Sequence, residues 1–190
     1  MKPNLNIAVG VPLILLGCFF GLGTHLWAQS PDSRPDTGFY HKIFPKDANL
    51  FRAMDVINGG EKDNFIQLAE AGNFSGQFWR FHRTGDGSFN LTTLFRGTGM
   101  CADIFNGGPN DNQVHLVQCA NFSGQFWFVN PTFDHPPFPD TFFAHLKTKF
   151  RPNMCLDHFQ EGDSFFPRLQ QCSNVPGQLW LISNTQRRVN

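Results

Sequence analysis

From residue 39 onward, apolar and polar positions alternate in short runs broken by Gly, Asn, Pro and Asp, the pattern of half-buried β-strands joined by tight turns. Aromatic-apolar runs at 39–44, 89–95 and 142–150 each open a block. A second run follows in each: Ala53-Met54-Asp55-Val56-Ile57, Cys101-Ala102-Asp103-Ile104-Phe105 and Cys155-Leu156-Asp157-His158-Phe159. Next come Asn58-Gly59-Gly60, Asn106-Gly107-Gly108 and Gln160-Glu161-Gly162, and then a third run at Phe65-Ile66-Gln67-Leu68, Gln113-Val114-His115-Leu116 and Phe166-Pro167-Arg168-Leu169. The unit is strand, strand, Gly-rich turn, strand, turn, strand. No segment carries a long helical period.

Each block closes on one phrase: Gly72-Asn73-Phe74-Ser75-Gly76-Gln77-Phe78-Trp79, Ala120-Asn121-Phe122-Ser123-Gly124-Gln125-Phe126-Trp127 and Ser173-Asn174-Val175-Pro176-Gly177-Gln178-Leu179-Trp180. The tryptophans lie 48 and 53 residues apart, the longer spacing reflecting a Pro-rich insert, Pro131 to Pro139. Self-similarity at such a period decides the fold. Three four-stranded units are too few for a propeller, whose ring needs at least about four blades. A barrel closes with three: two strands of each block supply a six-stranded wall, and the other two form a hairpin over its end. The expectation is an all-β β-trefoil over residues 39–185, with repeats at about 39–85, 86–137 and 138–185. Trp79, Trp127 and Trp180 then belong to the core, and Gln77, Gln125 and Gln178 satisfy backbone groups left unpaired at the turn.

The cysteines keep the same register. Cys119 and Cys172 each stand eight residues before their tryptophan, with Cys101 and Cys155 eighteen and seventeen residues further upstream. In the first block both positions are alanine, Ala53 and Ala71. Joint loss is what a bonded pair predicts, because half a disulfide leaves a reactive thiol. Bridges Cys101–Cys119 and Cys155–Cys172 are expected, each contributing about 3 kcal/mol on the chain-entropy estimate. The alternative is reduced core cysteines; the spacing required for zinc is absent.

Lys2 precedes an uncharged stretch from Ile7 to Ala28 that ends in small residues, so residues 1–28 are expected to be a signal peptide cut after Ala28, followed by a polar, Pro-rich flexible leader at 29–38. A retained membrane anchor, or lipid attachment at Cys18, is the alternative. Bridged cysteines favour an oxidising, extracellular location. The 190-residue chain carries 15 basic and 15 acidic side chains, leaving no basic excess for nucleic acid. Its 23 phenylalanines against one tyrosine provide rings for a core and for stacking on flat apolar ligand faces. A monomer is expected.

The threefold Gln-x-Trp signature, preceded by Cys-x-Asp and a second cysteine, resembles the ricin B-type lectin family over about Tyr40 to Ile182. The resemblance implies a β-trefoil carbohydrate-binding module with no catalytic residues, cofactor or metal. It places sugar-hydroxyl acceptors at Asp55, Asp103 and Asp157 and an assisting polar side chain on the next strand at Gln67, His115 and Arg168. Where the family usually has a stacking aromatic, this chain has Ala69, Val117 and Gln170; where it commonly has an Asn before the Gln, this chain has Gly76, Gly124 and Gly177. Asn73, Asn121 and Asn174 are candidate amides from the same turns, and Phe105, Phe159 or Ile57 candidate substitute platforms. Turn aspartates bonded to their own backbone are the alternative reading. Up to three weak sites would act together through multivalency. A structural or protein-interaction β-trefoil, such as a toxin accessory or surface subunit, is the alternative function.

The histidines beyond the expected signal peptide, His41, His82, His115, His135, His145 and His158, fall in no nucleophile or metal spacing. Asn73-Phe74-Ser75, Asn121-Phe122-Ser123 and Asn90-Leu91-Thr92 are formal N-glycosylation acceptors.

Overall fold

The computed structural model describes residues 34–48, 50–134 and 136–190. The expected signal peptide with Cys18, the first part of the leader and His135 lie outside the described residues. Twelve strands follow in chain order: β1 (Phe39–Pro45), β2 (Arg52–Val56), β3 (Ile66–Glu70), β4 (Trp79–Arg83), β5 (Phe89–Thr93), β6 (Met100–Ile104), β7 (Val114–Gln118), β8 (Trp127–Pro131), β9 (Thr141–Thr148), β10 (Met154–Glu161), β11 (Ser164–Gln171) and β12 (Trp180–Arg188).

The first and fourth strands of each repeat form a closed six-stranded barrel in the order β1-β12-β9-β8-β5-β4. The second and third strands pair as hairpins β2–β3, β6–β7 and β10–β11. This is the β-trefoil expected from the repeat. β12 continues to Arg188, beyond the expected boundary at 185, and Phe39 is registered against Arg188. The end of the leader is tied down as well: Pro35 is buried, Gly38 N–H bonds Asp36 Oδ1 at 2.8 Å, and Val189 N–H bonds Gly38 O at 3.0 Å.

Alternation within each strand sends one side chain in two to the axis. Trp79, Trp127 and Trp180 are fully buried there with Ile43, Phe81, Phe89, Leu91, Leu146 and Ile182 from the barrel and Met54, Ile66, Ala102, Val114, Leu156 and Leu169 from the hairpins. Each indole also has a polar obligation that burial makes expensive to ignore. It is met alike in every repeat: Trp79, Trp127 and Trp180 Nε1–H donate to the carbonyls of Met54, Ala102 and Leu156 at 3.0, 2.9 and 2.8 Å. The tryptophan therefore locks each barrel wall to its own hairpin. The cysteines are bridged as predicted, Cys101–Cys119 and Cys155–Cys172, each with Cα atoms 4.9 Å apart.

Candidate functional site

The three candidate aspartates sit at one position of each hairpin and make the same contacts. Oδ1 of Asp55, Asp103 and Asp157 accepts the N–H of the following residue, Val56, Ile104 and His158, at 2.8, 2.7 and 2.8 Å. Oδ2 accepts Nε2–H of Gln77, Gln125 and Gln178 at 3.1 Å in each case. Each glutamine is fully committed. Its second Nε2 proton goes to the carbonyl of Glu70, Gln118 or Gln171, and its Oε1 accepts the N–H of Gly72, Ala120 or Ser173. Each glutamine thus bonds backbone groups on both sides of its turn, with the aspartate as an additional partner.

This knot explains the glycine within the phrase. Ser75–Gln77, Ser123–Gln125 and Pro176–Gln178 each form a single 3₁₀ turn that lies directly on the carboxylate. A Cβ built on Gly76, Gly124 or Gly177 would overlap Oδ1 of Asp55, Asp103 or Asp157. Glycine is required by the close approach, so the site has no room for an asparagine there. The turn asparagines Asn73, Asn121 and Asn174 are exposed on its outer rim, where Asn73 Oδ1 accepts a bond from Arg187 at 3.4 Å.

Two lone-pair sites of each carboxylate are used by the knot, and a carboxylate has further acceptor capacity beyond them. Exposure differs among the copies: Asp103 is 8 % exposed, while Asp55 and Asp157 are half-buried. Burial pushes the Asp55 carboxyl above its usual range, opposed by the bonds from Gln77 and Val56.

The structure brings each aspartate together with its predicted cross-strand partner. Asp55 faces Gln67, Asp103 faces His115 and Asp157 faces Arg168 in the hairpin ladders, so each pair shares one face. The rings two positions beyond Asp103 and Asp157 are already covered. Phe105 stacks on His115 with centroids 3.7 Å apart, and the Arg168 guanidinium lies 5.3 Å from the Phe159 ring centre. Burial lowers the His115 pKa, opposed by the neighbouring Asp103 charge. Of the formal glycosylation acceptors, Asn73 and Asn121 are exposed, whereas Asn90 Nδ2–H is committed to Gln125 O at 2.8 Å.

Contacts between repeats were not foreseen from the sequence. Arg96, after β5, bonds Asp63 of the first hairpin loop at 2.6 Å; Arg151, after β9, grips Asp111 of the second with two bonds of 3.1 Å. Backbone bonds reinforce the same two seams, Leu116 N–H to Asn64 O at 2.8 Å and Leu169 N–H to Asn112 O at 2.9 Å. Among the described residues no group of three or more His, Cys, Asp or Glu is placed to hold a metal ion.

A closed barrel of first and fourth strands, capped by three hairpins and tied by Gln-x-Trp turns, defines a β-trefoil. No family model matches the sequence, and no curated protein matches it. Solved structures do. A mosquitocidal holotoxin aligns over 80 % of this chain with TM-score 0.66 and 11 % identity, and the chain spans only 18 % of that protein's length. The Macrolepiota procera ricin B-like lectin, solved in complex with lactose, aligns over 80 % of this chain and 99 % of its own, with TM-score 0.59 and 21 % identity. The Haemophilus ducreyi cytolethal distending toxin aligns over 85 % of this chain and 93 % of its own, with TM-score 0.57 and 12 % identity. At these identities the likeness is one of fold.

Proposed function

We propose that this protein is a secreted, noncatalytic, monomeric glycan-binding β-trefoil, exported by residues 1–28 and carrying up to three weak sugar sites. The observation that carries the reading is the threefold recurrence of an aspartate held rigid by a glutamine and facing Gln67, His115 or Arg168 across a ladder. A carboxylate fixed by two bonds, with further acceptor capacity beyond them, suits charge-assisted bonds to sugar hydroxyls. Asn73, Asn121 and Asn174 supply amides at the rim. Two disulfides suit an oxidising compartment. The balanced charge disfavours nucleic acid as a partner.

The test is binding of the purified protein to a glycan array at high density. The expected result is selective binding that weakens in Gln67→Ala, His115→Ala and Arg168→Ala combined, a variant that leaves the Asp–Gln knots intact. Asp55→Asn, Asp103→Asn and Asp157→Asn, checked for folding by circular dichroism, should abolish binding at these three positions. Absence of binding by the folded wild-type protein sinks the reading.

One observation favours a second reading, a protein-interaction trefoil of the toxin-subunit kind. The Pro-rich insert presents Phe133, 99 % exposed, beside exposed Phe138 and is pinned through a Lys46–Asp134 ion pair. A pull-down returning one protein partner, insensitive to free sugars and to the aspartate changes, would select it.

A further inference from the structure

The seams between repeats are alike at two places and differ at the third, between the third hairpin and the first repeat, where the ion pair is Lys62–Glu161 at 3.8 Å. The other two seams are each closed by an Arg–Asp ion pair and a backbone bridge. In the third repeat Phe165 takes the place of Asn64 and Asn112, β10 and β11 run on to a tight Gly162-Asp163 turn, and His158 and Pro167 replace the aliphatic pairs Val56/Ile66 and Ile104/Val114. No bond equivalent to Leu116 N–H to Asn64 O forms there among the described residues. The Arg52 guanidinium carbon lies over Phe165 instead, 4.5 Å from its centroid. A groove of about 330 Å³ is left, lined by Asp47, Phe51, Arg52, Leu68, His158 and Phe165. That volume lies at the lower end of small-ligand pockets, which run from about 300 Å³.

The groove has the ring that the three aspartate positions lack. Phe51 is 76 % exposed although its backbone is pinned on both sides, by Phe51 N–H to Ala48 O and Ala71 N–H to Phe51 O, both 2.9 Å. The preceding Leu50 adopts φ 64°, a conformation uncommon for a residue with a branched side chain, while packing against the cluster of Phe44, Ala53 and Leu181. The backbone of Phe51 is therefore held in place. Beside the ring, Asp47 Oδ2 and His158 Nε2 stand 3.6 Å apart, too far for a direct hydrogen bond. Asp47 has no other side-chain partner among the described residues. An exposed flat ring next to an open carboxylate and an imidazole matches a pyranose, with C–H groups for the ring and hydroxyls for the acid and the imidazole.

We infer that the seam between the first and third repeats is a fourth saccharide site, with Phe51 as stacking platform and Asp47 and His158 as hydroxyl-binding groups. The inference rests on the glycan-binding reading above. It differs from that reading in location, in being single, and in using none of the three aspartates.

The experiment titrates an oligosaccharide hit from the glycan array against five proteins: wild type, Phe51→Ala, Phe51→Trp, Asp47→Asn, and the combined Gln67→Ala, His115→Ala and Arg168→Ala variant. Phe51 and Asp47 are exposed enough that the single variants should keep the wild-type melting temperature. The expected result is a loss of about tenfold or more in the affinity of one site for each of Phe51→Ala and Asp47→Asn, with that site retained by Phe51→Trp. Unchanged affinity in Phe51→Ala and Asp47→Asn overturns the seam site; if the combined variant then loses binding, the glycan-binding reading stands without it. A wild-type protein that binds no glycan overturns both.

Discussion

Removing the Gln125 side chain should cost more than any surface change in this protein, and the contacts give the scale. Gln125 is fully buried. Gln125→Ala removes three hydrogen bonds at once: one to the buried Asp103 carboxylate at 3.1 Å and two, partly buried, to the Gln118 carbonyl at 3.1 Å and the Ala120 N–H at 2.8 Å. A bond to an ionised group contributes about 1.5–3 kcal/mol and each neutral bond about 1 kcal/mol, so the loss should be about 4 kcal/mol. That is a large part of the roughly 5–15 kcal/mol that holds a domain together. Urea unfolding followed by tryptophan fluorescence and far-ultraviolet dichroism should show a lower midpoint at unchanged slope. Gln125→Glu sharpens the test because it keeps the length and Oε1 but sets a second carboxylate against Asp103. The pair then shares a proton, with one carboxyl raised in the folded state, so the stability it supplies is present below about pH 4.3 and lost as pH rises through the folded pKa. This variant should therefore recover toward wild type in acid. A loss under about 1 kcal/mol for Gln125→Ala, or no acid recovery for Gln125→Glu, would refute the account of the knot.

Two further outcomes follow from buried groups. His41 is 2 % exposed, and burial pushes its pKa from 6.5 to about 4, so the unfolded chain takes up a proton that the folded one refuses. Stability should fall by about 3 kcal/mol between pH 6.5 and pH 4, and His41→Leu should flatten that part of a urea-midpoint profile relative to wild type. In the first repeat, Ala53→Cys with Ala71→Cys restores the 18-residue separation of Cys101–Cys119. It should close a third bridge, seen as loss of two hydrogens by mass spectrometry and a gain of up to about 3 kcal/mol in non-reducing urea titrations.

The parts of this fold legible in the sequence are those each repeat states three times. The tryptophans, the glutamines, the paired cysteines and the strand order recur at fixed offsets, so copies calibrate one another. The meaning of Gly76, Gly124 and Gly177 was not legible in that way. As a sequence position each is a missing asparagine; in space each is the only residue that lets the turn rest on an aspartate. The ion pairs Arg96–Asp63 and Arg151–Asp111 also escaped, because their partners lie 33 and 40 residues apart in different repeats. The seam groove escaped for the opposite reason. It arises where Phe165, His158 and Pro167 depart from the repeat, and a single departure gives no register against which to measure it.

Closure of the barrel through β1 and β12 has a consequence for the order of the chain. Residues 39 and 188 are registered partners, so the two ends of the domain meet at one place on its surface. A short peptide joining them, with new termini opened in the insert between β8 and β9, would keep every strand pair and both disulfides. The three repeats form a ring whose starting point is arbitrary, and a circular permutant beginning at β9 is a redesign this topology permits.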